Sequence, residues 1–138
     1  MAAARQEVVI NAPPNKIWSL LGDVSKWPSW NSRVTSGKML EGDVFYPGAT
    51  FQFTYDGKPR VGTIIQIDRL KVLVWRFDKT RLSMRLEPSG QTTKVICECE
   101  AGASGLFGSF NKGKLEQEAA QACTDWLQGL KQGVEKAG

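Results

Sequence analysis

Lys114–Lys136, KLEQEAAQACTDWLQGLKQGVEK, decides how this chain folds. Wound at 3.6 residues per turn, it places Leu115, Ala119, Ala122, Cys123, Trp126, Leu127, Leu130 and Val134 on one side. Gln117, Glu118, Gln121, Asp125, Gln128, Lys131, Gln132 and Glu135 fall on the other. Such a broad apolar stripe has to be buried, since helix stability comes mostly from packing. Nearly everything from Arg33 to Glu100 reads as strands, so the partner is a sheet. The pattern predicts a curved sheet gripping this helix, with function in the space left between them.

Working outward, the strand segments alternate clearly. Phe51, Phe53 and Tyr55 share a face against Gln52, Thr54 and Asp56, and Asp56-Gly57-Lys58-Pro59 supplies a turn. Val61, Thr63, Ile65 and Ile67 follow, then Leu73, Trp75 and Phe77, then Leu82, Met84 and Leu86. Pro88-Ser89-Gly90 turns the chain into Thr93, Val95, Cys97, Cys99 and Ala101. Short antiparallel strands on short turns make a meander with one apolar and one wet face.

Before the meander, Arg5–Asn11 reads as a first strand that Ala12-Pro13-Pro14 breaks, because proline lacks a ladder donor but suits a helix's first turn. Asn15–Leu21 reads as a short helix burying Ile17, Leu20 and Leu21, and a second short turn over Val24–Trp27 leads into Trp27-Pro28-Ser29-Trp30-Asn31. The order is strand, two short helices, about six strands and a long helix: a single α+β domain over residues 1–138. Between the last strand and the helix, Gly102–Gly113 combines recurrent glycines with Leu106, Phe107 and Phe110. These three either staple the helix's beginning, with Asn111 as its cap, or form a lid over an apolar pocket.

Composition narrows the chemistry. The chain has 138 residues, a net charge of +4 and no histidine, which removes Ser-His-Asp and Cys-His systems and His-ligated metals together. Arg76, Arg81, Arg85 and Lys94 share a sheet face with Asp78, Glu87, Glu98 and Glu100, a mixed surface unlike a one-signed nucleic-acid stripe. Nucleic acid is therefore not an expected partner. Cys97 and Cys99 point the same way, about 6.6 Å apart along one strand, at the edge of disulfide reach. With Cys123 they match no common zinc spacing and read as reduced, buried apolar residues. No cofactor or metal is expected. No apolar run is long enough to span a membrane and the start lacks a signal-peptide core, so a cytoplasmic location is expected.

Val8-Val9-Ile10-Asn11-Ala12-Pro13-Pro14-Asn15-Lys16-Ile17-Trp18-Ser19-Leu20-Leu21-Gly22-Asp23, continued by Trp27-Pro28-Ser29-Trp30-Asn31, resembles the opening of the START-related (SRPBCC) superfamily, in its polyketide cyclase/dehydrase-like branch. Val72–Phe77 and Thr92–Val95 agree, and the resemblance covers about Arg5 to Val134. It implies a helix-grip fold: a seven-stranded antiparallel sheet around the C-terminal helix, with a deep apolar cavity between them. It also implies binding or transport of lipids, sterols, polyketides or similar molecules, and cyclisation or dehydration in some members. No catalytic set is shared across the superfamily, so none is carried over.

On that footing Phe51, Phe53, Tyr55, Trp75, Phe77, Met84, Leu86, Cys97 and Cys99 are expected to line the concave face, opposite Cys123, Trp126 and Leu130. Each alone suits core packing; together, aromatic and sulfur side chains suit an irregular apolar ligand. Tyr55, Thr63 and Thr93 are the few polar groups. Glu116 falls on the apolar side at the helix's first turn, as a favourable charge for the helix N-terminus or as a polar anchor or base at the pocket mouth. Trp18, Trp27 and Trp30 brace the short helices against the rim, with Trp30 reaching the cavity mouth. The expected function is binding or transport of a small hydrophobic molecule or lipid, with transient membrane contact through Leu106 and Phe107. A cyclase or dehydratase and a co-chaperone-like interaction module are the alternatives, and the oligomeric state is left open.

Overall fold

In the computed structural model, which describes residues 2–101 and 112–137, the chain runs β1 (Ala2–Ile10), α1 (Pro14–Leu21), a 3-10 turn (Val24–Lys26) and α2 (Trp27–Trp30). Then come β2 (Val34–Met39), β3 (Thr50–Tyr55), β4 (Lys58–Asp68), β5 (Val72–Phe77), β6 (Thr80–Ser89), β7 (Thr92–Ala101) and α3 (Lys112–Ala137). The strands form one antiparallel sheet in the order β1-β7-β6-β5-β4-β3-β2. Every pairing but β1 with β7 joins sequence neighbours, which is the meander read from the turns. This is an α+β helix-grip fold.

The inner face follows the alternation. Phe51, Phe53 and Tyr55 of β3, Leu73, Trp75 and Phe77 of β5, Leu82, Met84 and Leu86 of β6, and Val95, Cys97 and Cys99 of β7 are all buried. From α3, Ala119, Cys123, Trp126, Leu127, Leu130 and Val134 meet them. The turn at Asp56-Gly57 has both residues at positive φ, as a tight two-residue hairpin of matching twist requires.

Strand β4 departs from the expected register. Val61 and Ile65 are 54% and 39% exposed, Thr63 is half-buried, and it is Gly62 and Ile64 that turn inward. Phe51 lies directly over Gly62: a Cβ there would come within 2.3 Å of its Cζ. The ring of the neighbouring strand occupies the space a β4 side chain would need. A bulge between Ile64 and Gln66 then resets the phase, so that Ile67 returns to the core.

Two further expectations shift. Trp18 is buried in α1 where Leu20 is half-buried, reversing their anticipated roles. Trp27 does not brace the rim; it sits fully buried at the centre of the aromatic core, against Trp30, Phe45, Phe51, Phe53, Trp75 and Trp126. The short α2 brings it there because α2 packs closely on α3 at Gly129 and Gly133, which have no side chain to hold it off.

Candidate functional site

The α3 backbone lies close against β1 and β7, while the 3-10 turn and α2 cover β2 at the other end of the sheet and α1 packs on α3. Among the described residues, the middle strands reach α3 through side chains. Trp126 is the pivot, with ring centroids 5.2 Å from Trp27, 5.3 Å from Trp75, 5.5 Å from Trp30 and 5.8 Å from Tyr55. Phe53 and Phe77 stand 5.1 Å apart beside them. The anticipated lining residues Trp30, Phe51, Phe53, Tyr55, Trp75, Phe77, Met84, Leu86, Cys97, Cys99, Cys123, Trp126 and Leu130 are therefore all buried in the volume between sheet and helices. Leu106, Phe107 and Phe110, with the rest of the glycine-rich segment 102–111, lie outside the described residues.

Glu116 is not on the buried stripe. Glu116 is exposed, and because the helix begins at Lys112, earlier than expected, it also lies beyond the first turn. Thr93 is buried, but its hydroxyl donates to the Ala12 carbonyl at 2.8 Å and so ties β7 to the turn before α1. Thr63 belongs to the outward register of β4.

Tyr55 is the buried hydroxyl of the aromatic cluster. Burial pushes its pKa up to about 12, against the opposing charge of Arg33. It therefore stays protonated at neutral pH, a good orienting group and a poor general base. Arg33, which no sequence pattern singled out, covers it: the guanidinium lies 4.8 Å from the ring centroid. Its Nε and Nη2 donate to the two carboxylate oxygens of Asp56 at 2.8 and 2.7 Å, and Nη1 donates to Asp125 of α3 at 3.0 Å. Gln121 donates to the other oxygen of Asp125. This bridge joins the β3–β4 turn, the start of β2 and α3 over the Tyr55 ring. Asp56 is held below the usual carboxylate range, chiefly by the Arg33 hydrogen bonds.

At the β1–β7 end, Cys97, Cys99 and Cys123 are free and buried. The Cys123 thiol donates weakly to the Cys97 carbonyl at 3.6 Å. Contact with Cys97 raises Cys123 to about 12, Cys99 opposes, and burial adds; Cys99 is raised further, first by Cys123 and then by burial. Both remain thiols rather than thiolates, which makes them poor nucleophiles and poor metal ligands. Among the described residues no group of three or more Cys, Asp or Glu is placed to hold a metal. Among them also, no helix is long and apolar enough to cross a membrane.

A family model described as polyketide cyclase / dehydrase and lipid transport matches residues 1–135. No curated protein matches the sequence. Solved structures do. A START superfamily protein from Mycobacterium smegmatis superposes with a TM-score of 0.81 at 13% identity, covering 100% of both chains. A protein from Mesorhizobium loti gives 0.77 at 15% identity, over 99% of this chain and 98% of that one. The Aha1 dimer from Colwellia psychrerythraea gives 0.72 at 17%, over 98% and 97%. At such identities these likenesses establish the fold alone.

Proposed function

The chain belongs to the polyketide cyclase / dehydrase and lipid transport family, and on that premise we propose that it binds a small hydrophobic molecule or lipid between the sheet and α3. The observation that carries this reading is how the interior is built. The α3 backbone is close to one edge of the sheet, and the middle strands meet it through large aromatic side chains. Flat rings and a thioether can slide and tilt to admit a guest at lower cost than interlocked branched side chains. Phe53, Tyr55, Trp75, Phe77, Met84 and Trp126 are the side chains assigned to contact it.

Binding is favoured over turnover by the state of the available groups. Tyr55 is held protonated, the cysteines are held as thiols, and Glu116 is exposed on α3. The test is native mass spectrometry of freshly purified protein, followed by solvent extraction and identification of any released molecule. A stoichiometric apolar adduct is expected. A protein that carries none, and whose tryptophan emission responds to no apolar compound across a broad panel, would sink the reading.

A further inference from the structure

The outer face of the sheet, turned away from α3, carries the mixed charges read from the sequence, and their pairing is uneven. β6 and β7 set two couples of opposite charge directly across from one another, Glu87 with Lys94 and Arg81 with Glu100. The first closes into an ion pair at 3.5 Å. The second stands in the same register relation but forms no ion pair. Among the described residues Arg76, Arg85 and Glu98 form none either. Arg76 also stands directly opposite Arg81 across β5 and β6, a like-charge contact that costs stability unless something neutralises it.

Beside these groups lies a groove of about 220 Å³. Its floor is Val74, which points away from the core yet is only 4% exposed, and the half-buried Ser83 next to it. Arg81 and Arg85 flank Ser83 along β6, while Glu98 and Glu100 line the side given by β7. The walls therefore differ in sign, and a guest of a single charge would be repelled by one of them. A guest with both charges suits each wall: its anionic group meets the arginine forks and the Ser83 hydroxyl, its ammonium group the two carboxylates. Three unpaired arginines stand against two unpaired carboxylates, so the anionic end carries the larger charge, as a phosphate monoester does. The volume falls below the roughly 300 Å³ at which pockets for drug-sized molecules begin, which suits a guest of few atoms.

We infer that this groove binds a small aminoalkyl phosphate, a phosphate monoester and an ammonium joined by a short aliphatic link that lies on Val74. The site is on the opposite face of the sheet from the aromatic interior and stands independently of the ligand-binding reading above.

The experiment titrates the 15N-labelled full chain with O-phosphoethanolamine, ethanolamine, inorganic phosphate and glycerophosphoethanolamine at constant ionic strength. Exposed charge pairs are individually weak, so a dissociation constant on the order of 1 mM is expected for the first probe. It is read from the backbone amides of Arg81–Arg85 and Glu98–Glu100. Ethanolamine, inorganic phosphate and the diester should each bind about fivefold more weakly or worse. Arg81→Gln and Glu98→Gln, both at exposed positions, should each lower affinity by a similar factor with the thermal midpoint unchanged. Lys94→Gln, whose lysine is already paired, should leave affinity as it was. The four-probe comparison on unmutated protein decides the matter whether or not a variant folds. Inorganic phosphate binding as tightly as O-phosphoethanolamine would reduce the groove to a plain anion site and overturn the inference. Equal affinity for the diester would overturn it in favour of a lipid headgroup. Unmoved β6 and β7 amides well above millimolar probe would overturn it outright, and ligand binding in the interior would be untouched.

Discussion

Gly129 of α3 stands so close to Trp30 that a Cβ built on it would lie 2.2 Å from the Trp30 carbonyl oxygen. Elsewhere in a helix, glycine to alanine gains about 1 kcal/mol from propensity. Here the obstacle is backbone, which cannot swing aside. Gly129→Ala is expected to destabilise by about 1–3 kcal/mol in denaturant titration, the usual range for overpacking. A gain in stability would mean that α2 does not approach α3 this closely.

The Arg33 bridge makes a second prediction. Lysine keeps the charge but not the fork that engages both oxygens of Asp56 while reaching Asp125. Arg33→Lys should cost about 1 kcal/mol, since the pair is partly exposed. The Asp56 carboxyl should titrate at higher pH, measurable by carbon NMR. An unmoved Asp56 titration would show that the bridge is not formed in solution.

Acid stability follows from the same pair. The folded pKa of Asp56 lies below its ordinary 3.8, so its contribution is fully present above that value and disappears as pH falls through the depressed one. Glu135 behaves likewise through Lys131 and the Asn11 N–H. Asp56→Asn should flatten part of the fall in stability below about pH 4 and leave the profile between pH 5 and 8 parallel to wild type. Equal acid slopes in the two proteins would contradict the assignment.

Thr93 gives a test inside the core. Thr93→Val removes the only side-chain donor seen at the buried Ala12 carbonyl among the described residues, and should cost about 1–3 kcal/mol. Thr93→Ser keeps the hydroxyl and should escape the hydrogen-bond part of that loss. If the valine and serine variants are equally stable, the hydrogen bond contributes nothing.

Tyr55→Phe separates a binder from an enzyme. For a binder the change should shift apolar-ligand affinity by about 0.5–1.5 kcal/mol, the net worth of one hydrogen bond. Should some polyketide-like substrate be converted, and this variant lower the rate a hundredfold or more, the catalytic reading would replace the present one.

The sequence made the grip legible because α3 and strands β3, β5, β6 and β7 each carry a periodic buried face, with only Val74 and Ile96 of those strands' described outer-face residues buried as well, and that periodicity survives without tertiary context. It misplaced β4 for a physical reason: Val61, Thr63 and Ile65 are β-branched residues that suit either face, and what expels them is the Phe51 ring lying over Gly62. Trp27 was misjudged because nothing local says how far a four-residue helix can sink; the glycines that let it sink are a hundred residues later. Arg33 left no trace, since its partners Asp56 and Asp125 lie 23 and 92 residues away. Glu116 falls outside the first turn because the helix starts at Lys112 rather than Lys114, a fraying boundary that periodicity does not mark.

The tryptophan cluster has an optical consequence. Trp27, Trp30, Trp75 and Trp126 are linked by centroid separations of 5.1 to 6.4 Å. At such spacing their transition dipoles couple, and excitation absorbed by one indole migrates among the others before it is emitted. The fold has assembled a composite chromophore from four residues on three different elements. Its near-ultraviolet circular dichroism should carry a coupled band that vanishes when any central ring is removed. A disturbance anywhere in the interior, at sheet, short helix or gripping helix, is then broadcast through a single spectrum.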